Sequence, residues 1–317
     1  MPVSKEAARI LVIRGGAIGD FVLTLPAIRM LREAFADARL EILGYKHIIA
    51  LADGRYYADA TRSIEYAALS CFFVPSGELD PGLVEYFSGF QQIVSYLYDP
   101  DQFFENNIRR CGIKHYLRAT PKIEGAEHAV HQLARPLESL ALYLEDPAAK
   151  LFPTAEDRLF AEQFVKESSG PLIALHPGSG SERKNWPLRH WQVLGEKISN
   201  LTHKPTLMII GGEADEGNFT ALRDAWRGLR VVPAKDLPLP HLAAAIERCA
   251  VFVGHDSGIS HIAAAVGTPS VLMFGGTESK VWAPLNSNVK IVQAQAGMLE
   301  VLDPETVLEA VLEMMPL

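Results

Sequence analysis

The feature that most constrains this chain is a short apolar run that ends directly in glycine. Ile10-Leu11-Val12-Ile13 is followed by Arg14-Gly15-Gly16-Ala17-Ile18-Gly19-Asp20, and then by apolar residues at Phe21, Leu25, Ile28, Leu31 and Phe35. Four apolar residues closed by a turn read as a buried strand, and spacings of three and four read as a helix with one apolar face. Residues 40–43 form the next short apolar run. Strand, glycine loop, helix and strand in that order are the signature of a parallel sheet covered by crossover helices.

The same pattern restarts near residue 171 and is clearer there. It predicts strands over 172–175, 206–210, 230–232, 251–253 and 271–274, with a last one at Ile291-Val292. Helices are predicted over 187–200, 214–227, 239–248, 258–266 and, after Pro304, over 304–314. The stretch 55–125 is less regular, with weak strands near Ile64, Phe72 and Ile93. A chain of 317 residues corresponds to roughly two domains at about 150 residues each. Pro147, Pro153 and Pro171 punctuate the change of pattern. The expected division is 1–160 and 161–317, two doubly wound α/β domains facing across a cleft, with the last helix a candidate to pack on the N-terminal domain.

Composition excludes several classes. Hydrophobic residues are 48% and charged residues 21%, which rules out whole-chain disorder or coiled coil. The formal charge of −8 argues against a nucleic-acid partner, because such proteins are usually basic. Cys71, Cys111 and Cys249 are widely spaced, so neither a zinc site nor a disulfide framework is indicated. No apolar run reaches the ~18–20 residues that span a bilayer, and 10–13 is too short for a secretory leader. These features lead to the expectation of a cytoplasmic protein whose membrane contact, if any, is peripheral.

Three loops carry the chemistry. In the first, Gly16 and Gly19 allow a tight turn and a close backbone approach, and a helix N-terminus offers unpaired N–H groups. A dinucleotide fingerprint would need glycine where Arg14 stands, and no acidic residue closes the second strand. Asp20 at the helix start reads either as an acid complementing the helix dipole or as a functional carboxylate. The second loop is His176-Pro177-Gly178-Ser179-Gly180-Ser181-Glu182-Arg183-Lys184-Asn185-Trp186-Pro187. Its hydroxyls, glycines and basic pair suit a phosphate, although the spacing is not that of a P-loop. His176 reads as a structural hydrogen-bonding group. The third is Gly254-His255-Asp256-Ser257-Gly258-Ile259-Ser260-His261. Ser257 and Gly258 can present N–H groups to a diphosphate, and Asp256 can accept from sugar hydroxyls or orient a lysine. One carboxylate with His255 and His261 lacks a third metal ligand, and the Gly-x-Ser-x-Gly nucleophile elbow is absent. Glu213 follows Gly211-Gly212 and can take ribose hydroxyls, or simply begin a helix. The glycines of Phe274-Gly275-Gly276-Thr277 serve close packing or a phosphate approach.

Together, Gly16-Ala-Ile-Gly19-Asp20 with Leu25-Pro26-Ala27, His176-Pro-Gly-Ser-Gly with Lys184-Asn-Trp-Pro187, and Asp256-Ser-Gly-Ile-Ser-His261 resemble the heptosyltransferase family, glycosyltransferase family 9. The resemblance runs through nearly the whole chain in the same order. It implies a GT-B fold of two Rossmann-like domains, the N-terminal one binding acceptor and the C-terminal one binding a nucleotide sugar, ADP-heptose in the family's usage. It also implies inversion at the anomeric carbon without a metal or other cofactor. Asp20 matches the family's general base and Lys184 its phosphate-contacting lysine. Ser179, Gly180 and Ser181 match the phosphate loop, Glu213 the ribose acid, and 234–237, with Lys235, the loop beside the base. Asp256, Ser257, Gly258 and His261 match the sugar and diphosphate segment. The implied acceptor is an anionic glycolipid or oligosaccharide of the lipopolysaccharide core, met at the inner membrane surface. This sequence departs from the family at Gly276, where proline is frequent. Arg109, Arg110, Lys114, Arg118 and Lys122 form a basic run that fits an anionic acceptor or membrane surface, or a solvated helix face. Two other readings are a nucleotide-sugar epimerase on the same fold and a non-catalytic sugar-nucleotide-binding protein.

Overall fold

The computed structural model describes residues 7–212 and 216–315. They form two compact units. One runs to Ala17 and includes Thr24–Asp146; the other comprises Ile18–Leu23 with the chain from Pro147 onward. The first unit contains β1 (Arg9–Arg14), α1 (Ile18–Ala34, whose opening turns group with the second unit), β2 (Arg39–Gly44), α2 (Lys46–Ile49) and β3 (Ala60–Ser63). It continues with α3 (Pro81–Ser88), β4 (Gln92–Ser95), α4 (Phe103–Arg110), β5 (His115–Arg118) and α5 (Ala129–Ala134). All its strand pairings are parallel, in the order β3-β2-β1-β4-β5.

The second unit contains α6 (Ala155–Phe164), β6 (Leu172–His176), α7 (Leu188–Ser199), β7 (Thr206–Gly211), α8 (Glu216–Ala225) and β8 (Val231–Lys235). There follow α9 (Leu239–Glu247), β9 (Val251–His255), α10 (Gly258–Ala265), β10 (Ser270–Phe274), α11 (Ser279–Trp282), β11 (Val289–Gln293) and α12 (Pro304–Met314). Its parallel sheet has the order β11-β10-β9-β6-β7-β8, so the winding direction reverses between β6 and β9.

The cores follow the period-two geometry of strands. Ile173 and Leu175, Leu207 and Ile209, Val251 and Val253, and Val271 and Met273 share one face of the second sheet. They pack with Trp191, Leu194 and Ile198 of α7, Phe219 and Leu222 of α8, and Val307 and Val311 of α12. The other face is also buried, as crossover helices require; Ala174, Met208, Phe252 and Leu272 are fully enclosed. In the first unit, Leu11, Ile13, Leu43 and Ile93 pack with Phe72, Phe87, Phe104 and Ile108.

One sequence expectation changes. Phe72 lies not in a strand but in a 3-10 segment, Ala67–Phe73, where its ring packs against Phe87 and Phe104 at centroid distances of 5.0 and 6.1 Å. Within the second unit the apolar stripe of the last helix meets α7 and β9 to β11. The second unit takes up the chain at Pro147, and α6 lies on α9 with Arg158 paired to Glu247 at 2.8 Å.

Gly195 shows how tightly α7 and α8 pack. A Cβ there would meet Trp226 Nε1 at 2.9 Å and two ring carbons closer still, and Trp226 is only 1% exposed. Helix propensity favours alanine over glycine by up to about 1 kcal/mol, but overpacking a core costs about 1–3 kcal/mol. Gly195→Ala is expected to lower unfolding free energy by about 1–2 kcal/mol in urea titration; parental stability would show that the indole can yield.

Candidate functional site

The loops after β6 and β9 leave adjacent parallel strands at the reversal point of the second sheet, where doubly wound folds place their ligands. The register pairs His176 with Gly254, so both loops begin at the same level. Lys184, at the end of a short 3-10 turn, reaches across to Asp256, with Nζ 2.7 Å from Oδ2. The Asp256 side chain is 13% exposed and that of Lys184 is 43% exposed. Ser257 is the N-cap of α10: its hydroxyl accepts the N–H of Ser260 at 3.4 Å and lies 3.3 Å from Nδ1 of the buried His176. The opening N–H groups of a helix have no partners within it, and they carry its positive dipole end.

The first turn of α1 lies against the start of α10 within this unit. A Cβ on Gly258 would fall 2.6 Å from Ile18 Cβ and 3.0 Å from Gly19 N. One on Gly19 would meet His261 Cδ2 at 3.2 Å. Asp20 is the acidic residue of that turn and is half-buried. Before it, Gly16 has φ of +93°, the left-handed region that favours glycine. Arg14, buried at the end of β1, donates to Thr24 Oγ1 at 2.9 Å.

The loop after β6 is internally bonded. Ser179 Oγ lies 2.7 Å from both Asn185 Oδ1 and the Ser181 carbonyl oxygen, and accepts the Ser181 N–H at 3.3 Å. Gly180 has open space on its side-chain side. Trp186 anchors the far end: it is 2% exposed and its indole N–H donates to Leu302 O at 2.9 Å.

Asp256, Ser257, Gly258, His261 and Lys184 therefore come together with Gly19 and the turn bearing Asp20, while Ser179, Gly180 and Ser181 share the lysine's loop. Lys235 stands apart, at the carboxyl end of the edge strand β8. It pairs with Glu216, and that hydrogen bond holds its ammonium pKa above the ordinary lysine value. Glu213 lies outside the described residues. Gly275 is closely packed: a Cβ there would meet Gly297 O at 3.0 Å, whereas one on Gly276 would come no nearer than 4.0 Å to that oxygen. The sequence reading missed His255 as a loop anchor. It is fully buried and bonded to backbone on both ring nitrogens, and a single strand-end histidine gives no spacing signal of that. Among the described residues, no three His, Cys, Asp or Glu side chains gather as a metal site.

The basic run in the first unit is largely compensated. Arg109 donates to Glu105 Oε1 at 2.8 Å and Arg118 Nε to Oε2 at 2.8 Å. Lys122 pairs with Glu124 at 2.7 Å, and Arg110 donates to Gly77 O and Asn107 Oδ1. Arg110 and Lys114 are the members without a carboxylate partner among the described residues. Burial raises the pKa of Glu105, but the hydrogen bonds from Arg118 and Arg109 outweigh it and hold the carboxyl below its ordinary value. A depressed carboxylate contributes stability above its unfolded pKa, which is lost as pH falls through the lower folded value. Glu105→Gln should cost about 1.5–3 kcal/mol near pH 7. The difference should shrink as pH falls below about 4, in chemical denaturation run across pH. A gap independent of pH would contradict the ion-pair assignment.

Comparison with known proteins places this architecture. The family model described as glycosyltransferase family 9 (heptosyltransferase) matches residues 105–311. Lipopolysaccharide heptosyltransferase 3 of Escherichia coli K12 is 24% identical over 310 residues, covering 88% of this chain and 85% of that protein. Lipopolysaccharide heptosyltransferase 2 of Salmonella typhimurium is 27% identical over 158 residues, 48% of this chain and 44% of that one. This match thus spans less than half the length of that relative. A family 9 glycosyl transferase structure from Veillonella parvula superposes with a TM-score of 0.80 at 17% identity, covering 97% of both chains. The E. coli ADP-heptose lps heptosyltransferase II structure does so with 0.77 at 17% identity, over 96% of this chain and 98% of that one. Two doubly wound parallel-sheet units of this kind define the GT-B fold of glycosyltransferases. The chain belongs to glycosyltransferase family 9, the heptosyltransferase family.

Proposed function

We propose that this chain transfers a heptose from ADP-heptose to a lipopolysaccharide-core or related surface-glycan acceptor, with inversion at the anomeric carbon and without a metal ion. The observation that carries the reading is the Lys184–Asp256 pair at the start of α10, beside the turn of α1 that bears Asp20, in a family 9 chain. The names of its relatives, lipopolysaccharide heptosyltransferases, support the choice of sugar and acceptor class.

In this reading, an acceptor hydroxyl attacks the anomeric carbon of the donor. Asp20 accepts the hydroxyl proton as the new C–O bond forms. The bond from that carbon to the diphosphate breaks, and the nucleoside diphosphate departs with the electron pair. Lys184 and the opening N–H groups of α10 meet the charge that grows on the leaving group. Ser179, Gly180 and Ser181 supply further polar contacts, while Gly16 and Gly19 let the substrate approach the backbone. Asp256, Ser257, Gly258 and His261 hold the sugar and diphosphate. Glu213 takes the ribose, and the segment around Lys235 borders the base. The anionic acceptor is taken up at the membrane surface; no described helix is long and apolar enough to cross a bilayer.

Calorimetry with ADP, UDP and GDP tests the donor. Preference for ADP is the expected result; preference for UDP or GDP would redirect the donor assignment. Two variants then separate the roles. Asp20→Ala should lower transfer about 10²–10⁴-fold while ADP affinity is retained, since a general base acts on the acceptor proton. Lys184→Ala should lower ADP affinity and transfer together, because a lysine on phosphate acts in ground and transition states alike. Full activity in the first variant, or unchanged ADP affinity in the second, would sink the corresponding role.

A further inference from the structure

The segment that carries Ser179, Ser181 and Lys184 is polar and glycine-containing, yet it must hold an ammonium group opposite Asp256. The clip that holds it comes from the neighbouring strand. His255 is the last residue of β9 and is fully buried. Its Nε2 lies 2.8 Å from the backbone nitrogen of Trp186, and its Nδ1 lies 3.4 Å from the carbonyl oxygen of Gly178. An amide N–H can only donate and a carbonyl can only accept. The ring is therefore neutral, with its proton on Nδ1 and its lone pair on Nε2.

These two contacts fall at the two ends of the segment: Gly178 immediately precedes Ser179, and Trp186 follows Lys184 by two residues. The ring is itself fixed. It stands edge-on to Trp191, with centroids 5.3 Å apart and planes at 89°, and the His255 carbonyl accepts the hydroxyl of Ser260 on α10. Asp256, the partner of Lys184, is the next residue along the chain. One side chain thus ties the start and the end of the lysine's loop to the strand that delivers the lysine's counter-ion.

We propose that His255 is a positioning residue for donor binding, a neutral imidazole that clips both ends of the phosphate loop and holds Lys184 in register with Asp256. This rests on the reading above, in which the loop receives the diphosphate of the donor. The chemistry required of the residue is specific: one acceptor and one donor, opposed on a flat ring that also packs against Trp191. No apolar residue supplies the first two, and a linear amide supplies one of them at a time.

Three variants use that distinction. His255→Gln places an amide oxygen near the position of Nε2 and can keep the bond from Trp186. His255→Asn places an amide nitrogen near Nδ1 and can keep the bond to Gly178. His255→Phe retains a ring against Trp191 and keeps neither bond. ADP affinity is measured by calorimetry on each folded variant, with melting temperature recorded alongside. His255→Phe is expected to raise the ADP Kd about tenfold or more, the scale of one lost hydrogen bond. His255→Gln should recover most of that loss, because it restores the tie nearest Lys184, and His255→Asn should recover less. In a Lys184→Ala background, His255→Gln and His255→Asn should cost less than they do in the parent, since the charged group being positioned is gone and only the loop's serine and backbone contacts remain. A lowered melting temperature with parental ADP affinity in the folded variants would overturn the proposal in favour of a purely structural role. So would losses that add fully to that of Lys184→Ala. If the parent chain binds none of ADP, UDP and GDP, it is the underlying donor reading that fails, and the variant series is not reached.

Discussion

Because β6 and β9 lie side by side and run in the same direction, the loops that leave their carboxyl ends share one edge of the sheet. After β6 the chain winds outward through β7 and β8; when it returns to form β9 it starts again on the other side of β6. The two loops therefore part in opposite senses and leave a crevice between them. Lys184 comes from one loop and Asp256 from the other, and their 2.7 Å pairing depends on the register that sets His176 beside Gly254. A one-residue slip would turn every inward side chain outward, and the buried faces of both strands make that slip prohibitively costly. The site is thus a consequence of sheet order before it is a consequence of loop sequence.

The same crevice sets the glycine requirements. Gly258 opens α10 where a side-chain carbon would stand within 3.0 Å of Ile18 Cβ and Gly19 N, so no larger residue fits without moving backbone. Gly19 answers from the other side, facing the ring of the buried His261. The two helix starts approach this closely because Gly258 leaves room for Ile18 and Gly19 leaves room for the ring of His261. The approach sets two positive dipole ends side by side, an arrangement that favours anionic groups between them.

Much of this was legible in the sequence, for a physical reason. Parallel strands covered on both faces must be apolar throughout, so they stand out as short runs such as 10–13 and 251–253, each closed by a polar or glycine loop. The start of α12 was equally plain, because Pro304 suits a first helical turn and Asp303 caps it. The region around Phe72 misled because aromatic residues favour strands on propensity, whereas here rings from separate elements gather in one cluster. An apolar stripe on α12 announces that the helix packs, but not on which surface. The basic run looked like a charged face because Glu105 neutralises residues on two different elements, and only the pairing of β5 with β4 brings Arg118 back to it. The anchoring role of His255 was invisible for a related reason: the loop atoms it holds are backbone atoms, and backbone leaves no mark in composition or spacing.

The Lys184–Asp256 pair carries a further consequence under the proposed function. In the crevice the two charges cancel, and a partly exposed pair of this kind is worth about 1 kcal/mol or less. A diphosphate brings more than one negative charge, so it competes well for the lysine. Once the lysine turns to phosphate, however, the Asp256 carboxylate, 13% exposed, is left beside an anion without its counter-ion. Uncompensated buried charge is expensive, and hydrogen-bond donors are the remedy. Sugar hydroxyls are such donors, and they arrive with the same molecule as the diphosphate. A bare diphosphate would win the lysine and strand the aspartate; a sugar diphosphate satisfies both. The pair thereby favours the complete donor over its fragments, and the departure of the sugar during transfer restores the aspartate's claim on the lysine, which weakens the hold on the product left behind.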